Sequence, residues 1–219
     1  MSDYLMEAIV SADQLDRAFI REVHHQVKNN LQVVCSLLRL QGREVDDPIA
    51  REVFKRSEQR IQTMALVYDK LYRCDEGHSV HLREYLQDLT RQLTAGAISA
   101  VGSPKVVLEA DEVMVSSKAA TTLGLLVGEV VSTQLRGVAA LGELGVVLVS
   151  VKRSLDTVVL AVSSEANGQS DVIESKVVER QIIDALARQL SAQLERCDGV
   201  QRSVRVTIPY STIAAVQNV

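Results

Sequence analysis

The chain has no tryptophan, and aromatic residues of every kind make up 3% of its 219 positions. A core of ordinary density must then be built from Leu, Val, Ile and Ala, which suits helix packing and plain sheets. Cysteine is scarce as well: Cys35, Cys74 and Cys197 are odd in number, far apart and without CxxC spacing. That excludes a disulfide framework and a thiolate zinc site, and fits reduced thiols in the cytoplasm. No stretch concentrates Lys and Arg enough to neutralise a run of phosphates, and the formal net charge is −4, so nucleic acid is not an expected partner. Uninterrupted apolar runs of about 18 residues are missing, so no membrane span is expected. The start, "MSDYLMEAIVSADQLDRAF", has neither the basic opening nor the apolar run of a signal peptide. These absences describe a soluble, cytoplasmic protein, and the length suits two small domains.

Proline and glycine are also missing between about Met6 and Gln41, where apolar residues recur at Ile20, Val27, Leu31, Val34 and Leu38. This spacing predicts one long helix with a coiled-coil-like seam. Gly42 offers a stop, and "DDP" places Asp47 to cap a second helix with Pro48 at its first position. Val53, Ser57, Ile61, Met64 and Leu71 continue that helix until "CDEGHS" breaks the pattern. Two helices joined by a tight turn form an antiparallel hairpin that leaves one side of its seam open. A homodimer making a four-helix bundle is the economical remedy.

Residues 77–219 change pattern, setting a second domain against a first of residues 1–76. His81 to Leu93 reads as a short amphipathic helix, "KVVLEA" (105–110) as a strand, and Lys118 to Val138 as an apolar helix. "GVVLVSVKR" and "DTVVLAVSS" read as paired strands around Ser154 and Leu155, Val177 to Leu194 as a helix, and "RSVRVTIP" as a closing strand. The order predicts an α+β protein: an N-terminal helical hairpin followed by an α/β sandwich with mixed or antiparallel strands and helices on one face.

"REVHHQVKNNLQ" (21–32) sets two histidines side by side ahead of a lysine and two asparagines. Imidazole is the side chain best suited to act as nucleophile, base or metal ligand near neutral pH. Each helical residue advances about 100°, so the seam through Val27, Leu31, Val34 and Leu38 serves as a compass. His25 then points roughly 150° from the seam, into solvent with Asn29, Gln32 and Ser36, while His24 falls about 50° from its centre, where a packing histidine fits. Lys28 and Asn29 follow one turn after His25 and share its neighbourhood. A cation and an amide beside an imidazole suit an incoming phosphoryl group, and Lys28 disfavours protonation of His25, keeping it a nucleophile. On physics alone an ordinary polar helix face accounts for the same residues equally well. A metal site fits less, because adjacent helical histidines point about 100° apart and the sequence has no HExxH.

"REVHHQVKNNLQVVCSLLRLQ" resembles the phosphoacceptor box of bacterial sensor histidine kinases of the HWE and HisKA-2 type, densely over about residues 20 to 41. The resemblance implies that His25 is the phosphorylated residue, with Lys28 and Asn29 assisting and Gln26, Gln32 and Ser36 available to a docking partner. Gln26 departs from the arginine usual at its position. In that family the hairpin is followed by an ATP-binding α/β sandwich, and here the resemblance thins. "TLGLLVGEVVSTQLRGV" looks like the helix that supplies the family's magnesium and nucleotide asparagines, yet it keeps Glu129 and has Gly128 and Thr133 where the asparagines belong. "SSEANG" has Ser164 in place of the adenine-reading aspartate and Ala166 in place of the first glycine, and no glycine lies between Gly168 and the next helix. Glycines are needed there because backbone must approach phosphates closely.

These losses imply a degenerate kinase domain that keeps its fold without binding ATP, and shift the resemblance to dimeric histidine phosphotransferases. His25 then takes phosphate from a receiver-domain aspartate of one response regulator and passes it to another. No cofactor is expected on this chain, since in such reactions the receiver brings Mg²⁺. Two rivals remain: an ATP-dependent sensor histidine kinase core whose nucleotide motifs have drifted, and a non-catalytic receiver-binding dimeric scaffold.

Overall fold

The computed structural model describes residues 2–71, 79–95, 104–140, 145–165, 176–198 and 202–215; side chains are described over the same ranges except 2–21, 24, 66–71, 140, 165, 176 and 198. The chain divides into two compact units, Met1–Asp75 and Glu76–Val219.

The first unit is a hairpin of α1 (Ser2–Glu44) and α2 (Pro48–Leu71). The turn closes on its own polar groups. Asp47 Oδ1 accepts the Ile49 N–H at 2.9 Å, the Asp47 carbonyl accepts the Arg51 N–H at 2.9 Å, and the Arg51 guanidinium donates to the Val45 carbonyl at 2.8 Å. Asp47 thus satisfies donors that α2 leaves without a helical acceptor. Asp47→Ala is expected to cost about 1 kcal/mol, read as a lower urea midpoint with an unchanged slope.

The helices run antiparallel: the Cys35 thiol donates to the Glu58 carbonyl at 3.8 Å, and Gly42 lies against Phe54. The line that faces α2 differs from the apolar seam read in the sequence. Among the described side chains of α1, Cys35 and Gly42 are the buried positions, whereas Val27, Leu31 and Leu38 are half-buried and Val34 is 41% exposed. Small residues decide this. A Cβ on Gly42 would stand 3.0 Å from the Phe54 Cβ, so α2 nests where α1 has least side chain. On α2, Val53 is exposed and the buried position among the described side chains is Thr63, while the Leu71 side chain lies outside the described residues. Val23, Val33, Val34, Leu37 and Leu40 of α1 are left exposed, with Ile49 and Val53 of α2.

The second unit runs β1 (Ser79–His81), α3 (Leu82–Ala95), β2 (Lys105–Ala110), β3 (Met114–Ser116), α4 (Ser117–Ala140), β4 (Val146–Arg153), β5 (Thr157–Glu165), α5 (Lys176–Gln189), β6 (Gln193–Asp198), β7 (Arg202–Pro209) and α6 (Tyr210–Ile213). Five strands form a sheet in the order β2-β4-β5-β7-β6, with β2 parallel to β4 and the other neighbours antiparallel; β1 and β3 form a separate two-stranded ribbon. Alternation along the strands buries one face: Val147, Val149 and Val151 of β4, Val158, Leu160 and Val162 of β5, and Val206 and Ile208 of β7. Helices α3, α4 and α5 cover that face. α4 lies at the centre, with Leu123, Leu126, Val127, Val130 and Val131 fully buried.

The sandwich matches the expected architecture, with one element of different type. The helix expected to reach Leu194 ends at Gln189, and β6 takes over from Gln193. Ser191 turns the chain there at φ 52°, with the Ala192 N–H donating to the Ala187 carbonyl at 2.9 Å. A serine thus holds a left-handed position where the usual stop signal is glycine. The three-residue strands β1 and β3 are too short for periodicity to show.

Candidate functional site

α1 carries His25 within an unbroken helix, where the absence of proline and glycine keeps the azimuths regular. The imidazole is exposed, as are Asn29, Gln32 and Ser36, and Lys28 is half-buried. At about 100° per residue these five share a face spanning roughly 60° to either side of His25. That face stands about 90° from the line buried against α2 and about 120° from the centre of the exposed apolar stripe. Gln26 is exposed too, but it lies about 100° round from His25, nearer the apolar stripe, so the helix does not bring it together with the others. The Ser36 hydroxyl donates to the Gln32 carbonyl one turn back at 2.9 Å. The His24 side chain lies outside the described residues.

The polar face continues onto α2 through residues that the sequence did not single out. Arg39 Nε donates to Glu58 Oε1 at 3.0 Å, and Gln62 Nε2 donates to the same oxygen at 2.9 Å. Only the register between the two helices reveals this group, since Arg39 and Glu58 are remote in sequence. Beside it, burial, with the Glu58 carboxylate adding to it, pushes the Cys35 thiol up, so Cys35 stays a protonated packing group.

The second group of interest sits on α4, β5 and α5. Gly128 and Glu129 are buried in α4. Thr133 Oγ1 lies 2.8 Å from the Glu129 carbonyl and 3.1 Å from Glu179 Oε2, and Arg136 donates to Glu179 Oε1 at 2.6 Å and to Thr133 Oγ1 at 3.1 Å. Glu179 comes from the first turn of α5 and its side chain is 6% exposed. On β5, the buried Ser164 hydroxyl donates to Gln134 Oε1 at 2.7 Å. Ala166 and Gly168 lie outside the described residues.

Residues 22–96 match the HisKA_2 family, described as histidine kinase. The sensor histidine kinase PdtaS of Mycolicibacterium smegmatis is 50% identical over 64 residues, which are 29% of this chain and 12% of that protein. The blue-light-activated histidine kinase 2 of Erythrobacter litoralis is 30% identical over 130 residues, 57% of this chain and 36% of the relative. The matches thus span well under half the length of these relatives. Among solved structures, the histidine kinase domain of an Erythrobacter litoralis blue-light activated histidine kinase superposes with a TM-score of 0.63 at 19% identity, over 90% of this chain and 94% of that one. That likeness speaks for the fold, and the sequence match speaks for the segment that carries His25. Residues 22–96, the segment that carries His25, are thus similar to the HisKA_2 family of histidine kinases.

Proposed function

We propose that this chain is a histidine phosphotransferase of a phosphorelay, taking phosphate on His25 from a receiver-domain aspartate and returning it to another receiver without using ATP. The observation that supports this is the closure of α5 onto α4. Thr133, aligned with a nucleotide-contacting asparagine, is engaged by Glu179 and Arg136, and Ser164, aligned with the adenine-reading aspartate, is engaged by Gln134. The Glu179 carboxylate is paired with Arg136 at 2.6 Å, and this ion pair holds Thr133 in contacts within the protein.

In the transfer, an imidazole nitrogen of His25 attacks the acyl phosphate in line. A nitrogen–phosphorus bond forms as the aspartyl oxygen–phosphorus bond breaks, the receiver recovers its carboxylate, and the imidazole releases a proton to solvent. Positioning and charge neutralisation supply most of the acceleration. Lys28 contributes charge, Asn29 a hydrogen-bonding amide, and Gln32 and Ser36 a docking surface; Mg²⁺ held by the receiver neutralises the phosphoryl oxygens. The exposed stripe of Val23, Val33, Val34, Leu37 and Leu40 supports a homodimer that buries it. No described helix is long and apolar enough to cross a membrane.

The kinase reading has its own support, because the relatives are named histidine kinases and Glu129 is retained. ATP decides between them. Calorimetry of the full chain with Mg²⁺ and millimolar ATP is expected to give no saturable heat, and γ-labelled ATP to leave no label on His25. Saturable heat together with labelled His25 would establish the kinase instead.

A further inference from the structure

The sheet of the second unit has two edges, β2 and β6, and they are built differently. β6 carries Glu195, Arg196 and Asp198, the charged composition that guards an edge against further pairing. β2 has Val106, Val107 and Leu108 at its centre, all half-buried, and among the described residues no strand pairs with its outer side. A groove of about 1050 Å³ runs there instead, between β2 and the side of α3 that carries Arg83, Gln87, Thr90 and Thr94.

The backbone of β2 dictates what fits. Lys105 donates its N–H to the Gly145 carbonyl at 3.1 Å and Asp111 to the Val151 carbonyl at 2.9 Å, so the odd-numbered residues address β4, while Val106, Leu108 and Ala110 turn N–H and C=O outward. At one end of this edge Arg83 donates to the Ala110 carbonyl. At the other, Pro104 offers a carbonyl and no N–H. The free donors are therefore those of Val106, Leu108 and Ala110, and the free acceptors those of Pro104, Val106 and Leu108. An antiparallel copy of the same edge, turned about a two-fold axis at Val107, matches it group for group: Val106 and Leu108 of the second copy exchange both hydrogen bonds, and the Ala110 N–H meets the Pro104 carbonyl. A shift of two residues one way sets the Val106 N–H against the carbonyl that Arg83 holds. The opposite shift leaves the Leu108 carbonyl facing Pro104, which has no donor.

Charge selects the same register. Val106 and Leu108 lie level with the buried Val147 and Val149, so Lys105 and Glu109 stand on the face of the sheet away from the helices. Both are exposed and form no ion pair among the described residues, whereas the charges around them are already matched: Arg83 with Glu112 at 2.8 Å, Arg91 with Asp88 at 2.8 Å and Lys152 with Asp111 at 3.6 Å. The two-fold axis at Val107 sets Lys105 of each copy opposite Glu109 of the other. We propose that β2 is a docking edge for a second copy of this chain, which adds its own β2 antiparallel and makes the two sheets continuous. This surface is separate from the exposed apolar stripe of α1 and does not depend on the chemistry at His25.

The test is disulfide trapping in the full chain, with Cys35, Cys74 and Cys197 replaced by alanine. Val107→Cys, on the axis, is expected to cross-link to its own copy under mild oxidation, because residues facing each other in such a pair lie within disulfide reach. Glu109→Cys is more exposed but faces Lys105 of the second copy, so it should stay unlinked. Lys105→Glu sets like charges opposite one another twice and should slow the Val107→Cys cross-link by about tenfold, and Lys105→Glu/Glu109→Lys should restore it. In the unmodified chain, amide exchange along β2 should slow as the protein concentration rises. Cross-linking of Glu109→Cys as fast as that of Val107→Cys, or a Val107→Cys rate indifferent to Lys105→Glu, would overturn self-pairing. So would protection of β2 that follows an added receiver domain and not the concentration of the chain, which would give the edge to that partner instead.

Discussion

His25→Ala is expected to leave the chain unable to take phosphate from any receiver, a loss on the order of a thousandfold or more, because the attacking atom itself is removed. The side chain is exposed, so the same substitution should move stability by no more than about 0.5 kcal/mol. The pairing of the two outcomes is what makes the test specific: acid-labile label vanishes while helicity and melting temperature stay. Lys28→Ala should slow transfer by about tenfold without ending it, since it adjusts charge around a nucleophile still in place. His24→Ala should keep phosphate acceptance. Label that persists on His25→Ala and disappears on His24→Ala would place the chemistry on the other histidine. A biological function that survives His25→Ala intact would favour the scaffold reading.

The largest expected effect on stability comes from Gly124→Ala. Tyr85 of α3 is fully buried against α4, and a Cβ built on Gly124 would overlap its hydroxyl and stand 2.6 Å from Cζ and 3.0 Å from Cε1. A buried ring held by a central helix has no route of retreat, so the substitution should cost about 2–4 kcal/mol, read in the unfolding transition of the second unit. The Tyr85 hydroxyl has no hydrogen-bond partner among the described residues, and burial holds the phenol well above the usual tyrosine range. Tyr85→Phe should therefore be neutral or stabilise by about 1 kcal/mol, since it removes an unsatisfied polar group. In the double variant the Gly124→Ala penalty should shrink, because the first atom struck is gone. Strict additivity of the two changes would show that the clash lies elsewhere.

What could be read from the sequence, and what could not, divides by the range of the interactions involved. The hairpin was legible because its signals are local: a long interval free of proline and glycine, then Gly42, Asp47 and Pro48 in order. The direction of His25 was legible because helical azimuth follows from numbering alone. The face buried against α2 was misplaced because apolarity was used to find it, whereas Cys35 and Gly42 admit the closest approach. β6 was hidden because Ser191 turns the chain without glycine and because "QLERCD" has the charged composition of an edge strand, which also suits a helix. The Glu179, Arg136 and Thr133 cluster joins α5 to α4 across more than forty residues. No pattern along the chain announces such a partner; only the fold does.

The parallel pairing of β2 with β4 bears on the order in which the second unit can assemble. β4 and β5 are joined by a turn in which the Ser154 N–H donates to the Thr157 carbonyl at 2.8 Å, so they can zip together with almost no chain to close. β2 reaches β4 only after β3 and the whole of α4 have been spanned, and the entropy of closing such a loop must be met before any pairing returns it. The β4–β5 hairpin, roofed by α4, is therefore the natural nucleus. β2 comes as a late addition to a template already built, and the sheet grows outward toward the edge that the chain made first.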